Sequence, residues 1–191
     1  MKNEYRNKLY EKHREPSWDK AHGCFTVARL VKAFNAKVIA EIGVCVGNTA
    51  VEILHENKLL YYLMVDHWKD ISKYELILNN FSSTGVEIKR SDSMEALKYV
   101  DDESLDFVYI DTNHSYKQAK REIFGWIKKV RRGGVLAGDG YGYIRNGDNG
   151  VKRAVHEIFS ADQINVNLGP DCVFWVMRPY DTRNSKFSRN A

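Results

Sequence analysis

Two side chains able to exchange a proton or hold a cation, Asp111 and His114, follow an apolar and aromatic run in the stretch FVYIDTNHSY, residues 107–116. A carboxylate at the end of a core-like strand is costly unless it faces a polar crevice or is fully hydrogen bonded. The same pattern recurs along the chain. Glu41 sits inside IAEIG, Asp66 ends LLYYLMVD, Asp92 follows VEIKRS and Asp139 ends GGVLAGD. In an open parallel sheet the carboxyl ends of the strands share one edge, where ligands bind near the reversal of strand order. Five acids placed this way suggest a site. Asp92, just ahead of SMEALKYV, serves equally as a helix N-cap or as a ligand contact, whereas Asp66 and Asp111 stand several residues before the next helical pattern and are poorly explained by capping. His114 has an imidazole whose ordinary pKa of about 6.5 suits proton removal near neutral pH, but a histidine opening a helix also caps or packs, here beside Tyr116.

The first strand runs into a glycine turn, EIGVCVGNTA, residues 41–50. Gly43 and Gly47 permit a tight turn and close approach of a ligand, and the N–H groups opening the next helix are expected to point into the site. The spacing is G-x-x-x-G rather than the dinucleotide G-x-G-x-x-G, with Cys45 in place of the middle glycine. A pyrophosphate has less room against such a turn. Asp66 falls where an acid on the neighbouring strand accepts ribose hydroxyls, so a nucleoside cofactor without a pyrophosphate accounts for both features.

Positioning these residues requires alternating strands and helices. From residue 37, KVIAEIG precedes NTAVEILHE, LLYYLMVD precedes SKYELILNNF, VEIK precedes SMEALKYV, LDFVYID precedes YKQAKREIFGWIKKV, and GGVLAGD precedes GVKRAVHEIF. This predicts an α/β fold, a mostly parallel, Rossmann-like sheet with helices on both faces. QINVNLGPDCVFWVMR then reads as two strands about a turn, closing a seven-stranded sheet with a C-terminal antiparallel hairpin. YGYIRNGDNG, residues 141–150, reads as a surface loop and a candidate substrate wall, with Tyr141 and Tyr143 as acceptor contacts.

The 191 residues, 43% hydrophobic, suffice for one domain: N-terminal helices over 1–36, a core over 37–178 and a flexible tail over 179–191. No apolar run approaches the roughly 20 residues of a membrane span, and the charged N-terminus is unlike a signal peptide, so a soluble cytoplasmic protein without a membrane partner is expected. Cys24, Cys45 and Cys172 are too scattered for a disulfide framework or a paired-ligand zinc site. The net charge of +4, concentrated in the chain ends, argues against a nucleic-acid partner.

The stretch FNAKVIAEIGVCVGNTA resembles the first motif of class I S-adenosylmethionine-dependent methyltransferases of the small-molecule O-methyltransferase group, which includes the caffeoyl-coenzyme A and catechol enzymes. DFVYIDTNHSYKQAKREIFGWIKKVRRGGVLAGDGY, with GVKRAVHEIF after it, is similar to a bacterial-type branch of that superfamily, and the resemblance spans about residues 24–178. It implies that Glu41, Gly43 and Gly47 surround the methionine part of the cofactor. Asp66 would then bind the ribose, His67 and Trp68 border the adenosine, and Asp92 and Ser93 meet the adenine edge; the tryptophan is equally accounted for by packing under a loop. Asp111 falls near the transferring methyl group. In metal-dependent relatives this acid is a cation ligand, joined by an acid after the next strand and an adjacent Asp or Asn. Asp139 matches the second, but Gly140 offers no side chain for the third. Asp111 and Asp139 with several waters remain a workable Mg²⁺ set, and His114 is the competing, metal-free proton acceptor. The expected activity is methyl transfer to a small-molecule acceptor, a hydroxyl oxygen first, by a chain whose relatives often form homodimers. A cofactor-binding or regulatory module without catalysis is the alternative, with a nicotinamide-dependent oxidoreductase behind it.

Overall fold

A computed structural model describes residues 22–144, 147–160 and 163–180. The helix expected over the first 15 residues and nearly all of the tail after 178 lie outside the described residues. The elements follow the predicted alternation: α1 (His22–Ala33), β1 (Val38–Ile42), α2 (Asn48–Glu56), β2 (Tyr61–Asp66), α3 (Ile71–Phe81), β3 (Glu87–Arg90), α4 (Ser93–Ala96), β4 (Leu105–Ile110), α5 (Tyr116–Lys129), β5 (Val130–Gly138), α6 (Gly150–Phe159), β6 (Val166–Leu168) and β7 (Phe174–Met177). The strand order is β3-β2-β1-β4-β5-β7-β6, parallel except for β7, which runs antiparallel to both β5 and β6. One expectation needs shortening. SMEALKYV forms a single α turn followed by a 3-10 turn at Leu97–Tyr99, because the chain is already extended at Val100 on its way into β4.

Both faces of the sheet are covered, so the central strands read as nearly continuous apolar runs. On one face Ala40, Ile42, Leu63, Val65, Val108 and Ile110 pack against Ala119, Ile123 and Trp126 of α5 and Val155 and Phe159 of α6. On the other, Ile39, Tyr62, Met64, Phe107 and Tyr109 pack against Val27 and Val31 of α1, Ala50 of α2 and Ile77 and Phe81 of α3. The far end of the sheet is tied by Arg178, 4% exposed, whose guanidinium donates to the carbonyls of Ile127, Lys128 and Val130 and to Glu103. No helix among the described residues is long and apolar enough to cross a membrane.

Register sets the functional edge. Ile42 pairs with Val65 and with Ile110, and Ile110 pairs with Gly138. One step further along each strand stand Gly43, Asp66, Asp111 and Asp139, in one row across the carboxyl end of the sheet. Backbone bonds carry the ladder into that row: Gly43 N–H to Val65 O at 2.8 Å, Asp111 N–H to Ile42 O at 2.8 Å and Asp139 N–H to Ile110 O at 3.0 Å. The order reverses between β1 and β4, so Gly43 and Asp111 flank the switch point.

Candidate active site

A cleft of about 420 Å³ opens above the row, lined by Ile42, Gly43, Val65 and Asp66 from the first two strands and by Asp111, Thr112 and Asn113 after β4. His67, Lys69, Ser91, Asp92 and Ser93 form one wall, and Gln118 and Glu122 of α5 the other. Its volume lies within the roughly 300–1,000 Å³ usual for small-molecule sites.

The glycine turn is shaped by both neighbouring strands. Gly43 has φ +91°, and a Cβ there would lie 1.8 Å from the Asp111 carbonyl oxygen, so only glycine lets β1 and β4 meet at the switch point. Gly47 caps α2 at φ +86° and faces the Phe81 ring rather than the cleft. The amides expected to face a ligand are in part already used. Asp66 Oδ2 accepts from Val44 N–H at 3.0 Å and Cys45 N–H at 2.9 Å, and its Oδ1 accepts from Trp68 N–H at 2.9 Å. Asp66 therefore lines the cleft and also clamps the turn.

Trp68 does not border the cleft. It is 2% exposed, with a left-handed backbone (φ +38°) that swings its ring into the core, where Nε1 donates to Cys45 O at 2.8 Å. The packing alternative accounts for it. Asp92 is a helix cap that also lines the cleft: Oδ1 accepts from Met94 N–H and Glu95 N–H at the start of α4, and Oδ2 lies 3.1 Å from Nε2 of His67 on the cleft wall. Partial burial raises its carboxyl pKa, but those amides and His67 outweigh it and hold the group below the usual range.

Glu41 is placed differently from the expectation. It lies on the sheet face opposite Ala40 and Ile42, 1% exposed, and accepts from the Tyr62 hydroxyl. Burial pushes its carboxyl up to about 8, against the Tyr62 hydrogen bond and with added repulsion from Asp111 and Asp66. Between its ordinary value of 4.5 and about 8 the folded protein keeps a proton that the unfolded chain has lost, so stability falls as pH rises through that window. We expect wild-type stability to drop by a few kcal/mol from pH 5 to pH 8 through this group and Glu41→Gln to flatten the slope. Chemical denaturation across that range checks it; parallel curves would exclude Glu41 as the source.

Glu122 is a cleft-wall residue that the sequence analysis does not single out. Fully buried on α5, it accepts from Ser93 Oγ at 2.5 Å, Thr112 Oγ1 at 2.6 Å and Gln118 Nε2 at 2.6 Å. These bonds join three parts of the cleft wall. The signal was available: Glu122 shares a helix face with Ala119, Ile123 and Trp126, and a carboxylate on an apolar face demands partners.

At the other end of the row Asp111, His114 and Asp139 converge. His114 Nε2 lies 3.2 Å from Asp111 Oδ1 and 3.5 Å from Asp139 Oδ2. The Asp111 carboxylate draws the His114 pKa above the ordinary imidazole value, against the opposing effect of burial. Burial pushes Asp139 up to about 6, helped by repulsion from Asp111. The loop after β5 departs from the expectation for Tyr141: its N–H bonds Cys172 O, its ring packs on Phe174, and its hydroxyl meets His156 Nε2 at 2.7 Å, away from the cleft. Tyr143 instead lies over His114, ring centroids 5.7 Å apart.

A doubly covered parallel sheet ending in an antiparallel hairpin, with a glycine turn and acids at its switch point, defines a methyltransferase-type Rossmann-like protein. The chain belongs to the methyltransferase domain family, whose family model matches residues 40–141. Its fold is similar to that of the O-methyltransferase from Bacillus cereus in complex with SAH, at TM-score 0.68 and 16% identity, covering 93% of this chain and 92% of that one. It is also similar to the O-methyltransferase TomG from Streptomyces achromogenes, involved in tomaymycin synthesis and solved with SAM, at TM-score 0.63, 16% identity and coverage of 94% and 91%. No curated protein sequence matches the chain.

Proposed function

We propose that the chain is an S-adenosylmethionine-dependent O-methyltransferase acting on a hydroxyl of a small acceptor such as a sugar, phenol or secondary metabolite, with residues 37–178 as its catalytic core. The observation that carries this reading is the single row of Gly43, Asp66, Asp111 and Asp139 beneath a cleft at the switch point. The cleft fits a sulfonium nucleoside. Its Gly43 floor leaves backbone open, and the carboxylates of Asp66, Asp92 and Asp111 complement positive charge. When bound, such a cofactor supplies a methyl carbon activated by a neighbouring sulfonium.

The protein's own work is alignment and proton removal. Asp66, with the turn it holds, faces the ribose side; His67, Asp92 and Ser93 face the base, braced through Ser93 by Glu122. Asp111 orients the acceptor hydroxyl, with His114 and Asp139 beside it completing the polar pocket in which that hydroxyl gives up its proton. Tyr143 forms a wall over His114. Cys24, Cys45 and Cys172 are unpaired, in keeping with a reducing cytoplasmic setting. A homodimer agrees with the same reading.

Calorimetric titration of the intact protein with S-adenosylhomocysteine tests it. We expect saturable binding that weakens at least about tenfold in Asp66→Ala, because two turn amides and the Trp68 N–H lose a charged acceptor. No measurable binding by the intact protein, with Asp66→Ala no different, would sink the proposal.

A further inference from the structure

We propose that His114 is the third protein ligand of a divalent-metal site with Asp111 and Asp139, occupying the space a side chain at position 140 would need, and that the site prefers Mn²⁺, Co²⁺ or Zn²⁺ to Mg²⁺. The inference rests on the reading of the Asp111 end of the cleft as the methyl-transfer point and specifies the ion held there.

The geometry carries it. One donor atom from each of the three residues lies within 4.8 Å of the other two. Donors held about 2.1 Å from a common ion at cis or tetrahedral angles are about 3.0–3.4 Å apart. The observed separations from His114 Nε2 are 3.2 Å to Asp111 and 3.5 Å to Asp139. An imidazolium placed only to neutralise two carboxylates would aim its N–H at one of them. Nε2 is instead screened from solvent and in hydrogen-bond geometry with neither oxygen. A ring nitrogen aimed between two carboxylates and bonded to neither suits a shared cation.

Gly140 explains how the histidine gets there. A Cβ on Gly140 would lie 2.6 Å from His114 Cδ2 and 3.0 Å from Nε2, and the glycine holds φ +79°. The ring thus fills the volume beside Asp139 where a ligating Asp or Asn at 140 would begin. His114 itself adopts φ +59°, an uncommon backbone for a non-glycine residue that turns its side chain back towards the strand ends. The missing side chain at 140 and the left-handed histidine at 114 are two halves of one arrangement. Exchanging a carboxylate or amide oxygen for an imidazole nitrogen makes the donor set softer, which shifts preference from Mg²⁺ to borderline first-row ions.

The test uses the intact, chelator-treated protein and the metal alone. Calorimetry with CoCl₂, MnCl₂ and MgCl₂ is expected to give Co²⁺ and Mn²⁺ binding at least about tenfold tighter than Mg²⁺. His114→Asn tolerates the left-handed backbone but is too short to reach the Nε2 position, and should loosen Co²⁺ at least about tenfold and alter its visible absorption bands. Mn²⁺ spin-echo spectra of protein labelled with ¹⁵N-histidine report ligation without any variant, and coupling to one imidazole nitrogen is expected. The proposal is overturned by absence of that coupling, by Co²⁺ binding weaker than about 1 mM, or by Co²⁺ affinity and spectrum unchanged in a folded His114→Asn. S-adenosylhomocysteine titration separates the two readings. Cofactor binding without metal removes only the site, and histidine-ligated metal without cofactor binding removes only the methyltransferase reading.

Discussion

Gly43→Ala is expected to abolish measurable S-adenosylhomocysteine binding and to destabilise the fold by at least about 3 kcal/mol, the sum of a left-handed backbone forced on a side chain and an overpacked contact. The added methyl would sit 1.8 Å from Asp111 O and 2.6 Å from Asp111 C, both main-chain atoms. No rotamer relieves this. Backbone bonds from Gly43 to Val65 and from Asp111 to Ile42 hold the two strand ends together, so β1 and β4 must part at the switch point and carry Asp111 with them. Gly85→Ala calibrates the backbone part alone, since Gly85 has φ +77° with nothing within 4 Å of the added carbon, and should cost only about 1–2 kcal/mol. Denaturant unfolding of both variants and calorimetry of Gly43→Ala measure the contrast. Cofactor binding by Gly43→Ala within about threefold of wild type would remove the glycine turn from the binding site.

The strand-end acids were legible because strand and helix alternate cleanly along the chain. Once the sheet is parallel, a residue that ends a strand must lie on the same edge as the others, and Asp66, Asp111 and Asp139 do so in one row. What those acids touch could not be read the same way. Asp66 spends much of its carboxylate on the amides of Val44, Cys45 and Trp68, a consequence of its standing level with Gly43 that only strand register reveals. Trp68 and Tyr141 went elsewhere for a local reason. A left-handed φ at Trp68 and the backbone bond from Tyr141 to Cys172 turn each side chain away from the cleft, and residue type alone does not encode that choice.

Glu41 and Glu122 teach opposite lessons about buried carboxylates. Glu41 was assigned to the cofactor by its place in a motif, yet strand alternation puts it on the face opposite Ala40 and Ile42, under α1 and α2. Glu122 stands in a helix of mixed charge and apolar residues, and its position among Ala119, Ile123 and Trp126 marks it as buried. The three-residue convergence at the other end of the row was half legible. Asp111 and His114 are close in sequence, but the approach of His114 to Asp139 depends on the absence of a side chain at Gly140, whose place the ring takes.

Asp111→Asn should separate binding from chemistry more sharply than any other single change in the site. Asparagine is nearly isosteric and keeps the main-chain bond to Ile42 and the carbonyl packed on Gly43, so the fold and the floor of the cleft are expected to survive. S-adenosylhomocysteine affinity should stay within about threefold of wild type, because the turn is clamped by Asp66 and the base side is formed by Asp92 and its neighbours. Turnover should fall about 10²–10⁴-fold, the range associated with loss of a positioned acid–base group, since the variant offers the acceptor hydroxyl a neutral amide where a carboxylate stood. The charge matters as much as the hydrogen bond: without it His114 and Asp139 lose the neighbour that concentrates negative charge where the acceptor oxygen must give up its proton. The measurement is S-adenosylhomocysteine release across a panel of sugar and phenolic acceptors, using whichever acceptor the wild type turns over. Retention of more than about a tenth of wild-type turnover would mean that proton removal is carried elsewhere in the cleft, and equal losses of cofactor affinity and rate would recast Asp111 as part of the binding floor.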